Sequence, residues 1–111
     1  MFDIMGMMGK VKEAQAKIKE AQAKLVHLTA EGESGAGMVK VLVNGERKVL
    51  KIQLDESLLN PQDKEMVTDL IVAATNKAME SIEHKIKAEM KAATEGMIPN
   101  IPGMDFGNLF G

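Results

Sequence analysis

At 111 residues, 45% of them hydrophobic and 27% charged, the chain has the length of one domain with a modest core. It has no cysteine, which excludes disulfides, thiolate metal sites and thiol nucleophiles and fits a reducing compartment. A net charge of −2 excludes a uniformly cationic surface, and three Phe with no Trp or Tyr exclude an aromatic platform for stacking single-stranded bases.

The start, M-F-D-I-M-G-M-M-G-K, lacks a basic n-region and its apolar run is broken by Gly, so it does not read as a signal peptide. No window approaches the ~18 apolar residues of a membrane span, and a soluble, cytoplasmic protein with no membrane partner is expected. Residues 10–30 then repeat with a period of seven: K-V-K-E-A-Q-A, K-I-K-E-A-Q-A and the looser K-L-V-H-L-T-A. Ile4, Met7, Val11, Ala14, Ile18, Ala21, Leu25 and Leu28 step by three and four, an a/d seam that predicts an amphipathic helix. Gly6 and Gly9 weaken its beginning, so firm helix is predicted over about 8–27. Lys10, Lys17 and Lys24 form one rail beside the seam, Lys12 and Lys19 a second. Glu13–Lys17 and Glu20–Lys24 are i,i+4 pairs worth ~0.3–0.5 kcal/mol each. The seam is longer than a small sheet can cover, so part of it must meet another helix, in this chain or in another copy.

Residues 32–54, G-E-S-G-A-G-M-V-K-V-L-V-N-G-E-R-K-V-L-K-I-Q-L, supply the sheet. Asn44-Gly45 between two β-rich runs predicts a two-residue type I′ hairpin with Val43 opposite Glu46, Val41 opposite Lys48 and Val39 opposite Leu50. Alternation then puts Val39, Val41, Val43, Leu50, Ile52 and Leu54 on one aliphatic face. Gly32, Gly35 and Gly37 mark an earlier turn, entered by a short strand from about Leu28 to Glu33, which makes three antiparallel strands. Only the flanking helices can cover the aliphatic face. After Leu54, D-E-S-L-L reads as a helical turn. Asn60-Pro61-Gln62-Asp63 opens a helix predicted over about 61–95, striped by Val67, Ile71, Ala74, Ala78, Ile82, Ile86 and Met90. Its half from Val67 to Ala78, with Leu70 and Val72, is expected to pack on the sheet. The half from Glu80 to Glu95 is expected to be a solvated, projecting arm. The domain is thus predicted over 1–96. Residues 97–111 are a Met/Pro/Gly-rich tail, read as a flexible end. Phe106, Leu109 and Phe110 support the alternative of a strip that docks on a neighbouring copy or a protein partner.

Chemistry of other kinds finds no footing. The Gly-rich turn at 32–37 is followed by a strand rather than by a Lys-Ser/Thr pair opening a helix, so it is no phosphate loop. Ser34 has no nucleophile-elbow context. His84 lies one turn after Glu80, but two ligands do not make a metal site, and His27 is not obviously near. Neither an enzyme, a catalytic residue, a metal nor a cofactor is expected. Charge is unevenly distributed: residues 38–53 carry four bases against one acid, residues 54–111 five bases against ten acids. The α-helical lysines can track phosphates. With no Arg among them, specific guanine readout is not expected, and binding should be to duplex backbone and salt-sensitive.

The order of the lysine-rich heptad helix, G-E-S-G-A-G-M-V-K-V-L-V-N-G, I-Q-L-D-E-S-L-L and D-K-E-M-V-T-D-L-I-V-A-A-T-N-K-A resembles the YbaB/EbfC family of bacterial nucleoid-associated proteins over about residues 5–96. The resemblance implies an α+β protomer with an N-terminal helix, a three-stranded antiparallel sheet and a long C-terminal helix, forming a tweezer-like homodimer. It implies binding to double-stranded DNA in the nucleoid with little sequence preference. The family's DNA contact is attributed to helices at the two ends of the chain. Carried over, this points to Lys10, Lys12, Lys17, Lys19 and Lys24, with Lys85, Lys87 and Lys91 from the second arm. The acidic second half departs from that pattern. The alternative from another class is a non-enzymatic coiled-coil scaffold whose arms and tail bind protein partners.

Overall fold

A computed structural model of the chain describes residues 4–95. In chain order these form α1 (Ile4–Lys24), a 3₁₀ turn (Leu25–His27), β1 (Thr29–Ser34), β2 (Val39–Asn44), β3 (Val49–Leu54), 3₁₀ turns at Glu56–Leu58 and Pro61–Asp63, and α2 (Lys64–Thr94). The tail at 97–111 lies outside the described residues. Two compact units are formed, one from residues 25–86 and the other from α1 together with residues 87–95.

In the first unit the strands pair antiparallel in the order β1-β2-β3. The hairpin register differs from the one the Asn-Gly dipeptide predicts. Val39 faces Leu54, Val41 faces Ile52 and Val43 faces Val49, with a bulge between Leu42 and Val43. The cause is the Asn44 side chain, whose Oδ1 accepts from the backbone N–H groups of Glu46 at 2.9 Å and Lys48 at 3.1 Å. Arg47 takes a positive φ of 62° and donates its N–H to the Asn44 carbonyl at 2.9 Å. A turn closed by a side chain in this way is wider than the two-residue type. At Val39 the slip, from Leu50 to Leu54, is an even number of residues, so Ile52 and Leu54 keep the face shared with the β2 valines.

That face is covered over only part of its width. On β1 Ala30, Gly32 and Ser34 are buried, and on β2 so are Val39, Val41 and Val43. α2 runs along β1. Leu70 O accepts the Ser34 hydroxyl at 2.6 Å, Ala74 and Ala78 stand over Gly32, and the Lys85 ammonium donates to Thr29 O at 2.6 Å. One helix is about 10 Å across, and strands are spaced ~4.8 Å apart, so a helix seated on β1 reaches β2 but leaves β3 bare. Leu50 and Ile52 are 52% and 46% exposed.

Gly32 is therefore a packing residue and not a turn residue. A Cβ there would lie 2.3 Å from both Ala74 O and Ala78 N, backbone atoms that cannot swing aside. Gly32→Ala is expected to destabilise the protein by about 3 kcal/mol or more, at the upper end of overpacking because the clash is with backbone. At Gly9 nothing lies within 4 Å of an added Cβ. Gly9→Ala should stabilise the helix by ~0.5–1 kcal/mol. Denaturant unfolding of the two variants should move the midpoint in opposite directions; equal shifts would contradict this account.

The remaining differences have local causes. α1 begins at Ile4 and carries Gly6 and Gly9 within it, and its last predicted turn tightens to 3₁₀ at Leu25–His27. Pro61–Asp63 is also 3₁₀. The Asn60 side chain does not cap it and instead donates to Ser57 O at 3.0 Å. The turn at Glu56–Leu58 is capped by Asp55, whose carboxylate accepts from the Ser57 N–H at 2.9 Å; that bond holds the Asp55 pKa below its ordinary value. On α2 the predicted stripe is the buried side, half-buried at Val67 and Ile71 and fully so at Ala74, Ala78, Ile82, Ile86 and Met90. Burial of the last three shows that the stripe stays covered past Glu80, along the half expected to be solvated. Val72, expected on the sheet, lies off the stripe and is exposed.

Candidate nucleic-acid interface

A helix of 21 residues is about 32 Å long, and residues seven apart are displaced by only ~20° around it. The spacing of Lys10, Lys17 and Lys24 therefore sets them in a nearly axial line, and that of Lys12 and Lys19 in a second. All five are exposed, as are Lys85, Lys87 and Lys91 on α2. Of the two ion pairs expected on α1, only Lys24–Glu20 forms, at 3.8 Å. Both side chains are about 60% exposed, so water screens the pair and its contribution is small. Among the described residues no carboxylate lies within ion-pair distance of Lys10, Lys12, Lys17 or Lys19.

The lysines are not equivalent. Lys17 and Lys24 line a cleft with Glu20, Ala21, Glu89, Ala92, Ala93 and Glu95, so three carboxylates share their surroundings. Lys10, Lys12 and Lys19 lie outside that cleft. Lys85 spends one of its three N–H donors on Thr29 O. The structure thus separates three uncompensated cations on α1 from two beside acids, a division the heptad pattern cannot show because two of the three acids come from the C-terminal end of the chain.

The sequence pattern leaves Arg47 unassigned, and it is committed elsewhere. Its guanidinium forks onto the Glu83 carboxylate, with Nε bonded to Oε1 and Nη2 donating to Oε2 at 3.2 Å. This hydrogen bonding raises the Arg47 pKa and ties the hairpin loop to α2. A charge 36 residues away is not visible as a partner in sequence. Ser34 is likewise a structural donor, buried against α2. His27 and His84 are exposed, and among the described residues no group of three or more His, Cys, Asp or Glu could hold a metal ion. No described helix is long and apolar enough to cross a membrane.

Comparison with known proteins gives these features a context. A nucleoid-associated protein of Flavobacterium johnsoniae is 41% identical over 108 residues, which is 97% of this chain and 98% of that protein. One of Agrobacterium fabrum is 42% identical over 104 residues, covering 94% and 96% respectively. The crystal structure of an uncharacterized protein from Helicobacter pylori superposes with a TM-score of 0.66 at 26% identity, covering 79% of this chain and 92% of that one. The sequence profile of the YbaB/EbfC DNA-binding family matches residues 1–97. With a helix, a three-stranded antiparallel sheet and a long helix in that order, and with a profile match over most of its length, the chain belongs to the YbaB/EbfC DNA-binding family, whose members are not enzymes.

Proposed function

We propose that the chain is a nucleoid-associated protein that binds duplex DNA with little sequence preference, through bonds from lysine ammonium groups to backbone phosphates. The observation that carries this is the run of five exposed lysines along one helix, with a single loose ion pair among them. Lys10, Lys12 and Lys19 bear the larger share; Lys17, Lys24, Lys87 and Lys91 add to it, and Lys85 contributes through its remaining donors. A point-charge ammonium meets a phosphate without reading a base, and the one Arg is held by Glu83. The names of the relatives support a place in the nucleoid. The test is a salt titration of duplex binding. Unrelated duplexes should bind alike, and log K should fall linearly with log salt with a slope of about −0.9 per phosphate neutralised. Strong preference for one sequence, or binding indifferent to salt, would overturn the reading.

The reading includes a homodimer. β3 is an edge strand, and its bare aliphatic side chains adjoin a fully buried row on β2, so a second copy can complete the core. Sedimentation equilibrium should give about twice the 12.0 kDa chain mass. Ile52→Asp should leave the protomer folded and lower the mass to that of one chain; a parent that sediments as a folded monomer at micromolar concentration would rule the dimer out.

A further inference from the structure

The cover over the apolar seam of α1 changes along its length. Ala21 is buried, Ile18 and Ala14 are half-buried, and Val11, Met7 and Ile4 are 55%, 54% and 63% exposed. The change occurs where α2 stops. Glu89 to Glu95 line one cleft with Lys17 to Lys24, and α2 ends at Thr94. Beyond Lys17 the seam continues with none of the described residues over it, as a shallow groove of about 540 Å³ lined by Ile4, Met7, Met8, Val11, Lys12 and Gln15. Exposed apolar surface of this kind, floored by adaptable methionines, is a binding surface rather than ordinary solvent-facing helix.

We propose that this groove is a docking strip for the chain's own C-terminal segment, residues 97–111. The described chain ends at Glu95, which lines one cleft with Lys17, Glu20, Ala21 and Lys24, beside the covered part of the seam. From Lys17 to Ile4 the helix rises ~20 Å, and fifteen extended residues span up to ~50 Å, so the segment reaches the whole strip. It carries two of the chain's three Phe, Phe106 and Phe110, with Ile98, Ile101 and Leu109. Pro99 and Pro102 oppose continuation of the helix and favour an extended backbone, which can lie along a helical groove. Its one ionisable side chain is Asp105, and Lys12 lines the strip, so the charges are complementary. A tethered segment acts at an effective concentration of order mM, which favours it over a free partner.

The test uses the full chain and no DNA, so its failure leaves the DNA reading untouched. Because the chain has no cysteine, Asn108→Cys gives a single site for a nitroxide spin label. With isotope-labelled methionine methyls, the Met7 and Met8 signals should lose most of their intensity. Adding Phe106→Ser and Phe110→Ser should restore it, and so should Val11→Asp, which changes an exposed position and spares the fold; circular dichroism checks that each variant remains helical. Unattenuated Met7 and Met8 signals would overturn the proposal, as would attenuation that survives these substitutions. Attenuation found in a mixture of spin-labelled and separately isotope-labelled chains, and lost when doubly labelled chain is diluted in excess unlabelled chain, would assign the strip to a second copy and overturn it as well.

Discussion

Replacing Lys10, Lys12, Lys17, Lys19 and Lys24 together by Gln is expected to weaken duplex DNA binding by ~100-fold or more at about 0.1 M salt while leaving the fold intact. Each phosphate neutralised contributes about 0.9 to the slope of log K against log salt, so the slope should shrink by roughly one unit for every phosphate left without its lysine. A 100-fold weakening requires only about half of the five lysines to reach phosphates, since each is worth nearly a factor of ten near 0.1 M. The fold should survive because all five side chains are exposed and Gln has similar helix propensity. The one ion pair removed, Glu20–Lys24, is open to water. Lys64 and Lys77, exposed on α2, are the control; their replacement by Gln should change binding far less. The structure adds a finer expectation. Lys10, Lys12 and Lys19 should cost more when neutralised than Lys17 and Lys24, which already share a cleft with Glu20, Glu89 and Glu95. Salt titrations of the two subsets, with circular dichroism as a check on folding, measure this directly. A five-lysine variant that binds like the parent with an unchanged slope would make the lysines a solvated flank and move the protein-scaffold reading ahead.

Val41→Asp is expected to destabilise the fold severely, with a loss of about 4 kcal/mol or more. Val41 is fully buried in the central strand, paired with Gly32 on β1 and Ile52 on β3, on the face that α2 covers at Gly32. A carboxylate placed there loses its hydration and gains no hydrogen-bond partner. A domain of this size has ~5–15 kcal/mol in hand, so the loss takes away a large part of it. Ile52→Asp makes the same chemical change one strand over, at a position 46% exposed. It should cost the protomer little and act on assembly instead. Thermal unfolding followed by circular dichroism separates the two. If Val41→Asp melts near the parent temperature, α2 does not seal the sheet as described.

Several of these features are legible without a structure, and the reason is the same each time. Heptad spacing is a property of one helix, so it predicts α1 and the two lysine lines. Strand alternation has a period of two, so the faces of β2 and β3 follow from sequence even though the register does not. Pro61 after Asn60 marks the start of α2 to within a turn. The family resemblance rests on ordered blocks of residues, and the profile match over residues 1–97 supports it directly.

What escaped depends on atoms distant in the chain, or on competition between two local solutions. Asn44-Gly45 favours a tight turn, but the Asn44 side chain accepts two backbone N–H groups and stabilises a wider one, which moves Leu54 opposite Val39. Gly32 reads as one of several turn glycines. Only the approach of Ala74 and Ala78 makes it the point where helix and strand touch; small residues four apart on α2 were the available signal. Arg47 is one of the four bases counted over residues 38–53, and only the fold brings it to Glu83, 36 residues away. Hydrophobic patterning states that Leu50, Ile52 and Val41 share an aliphatic face. It cannot state how wide a cover one helix provides, so burial of Val41 and exposure of Leu50 and Ile52 were decided by the seating of α2 on β1, about two strand spacings from β3.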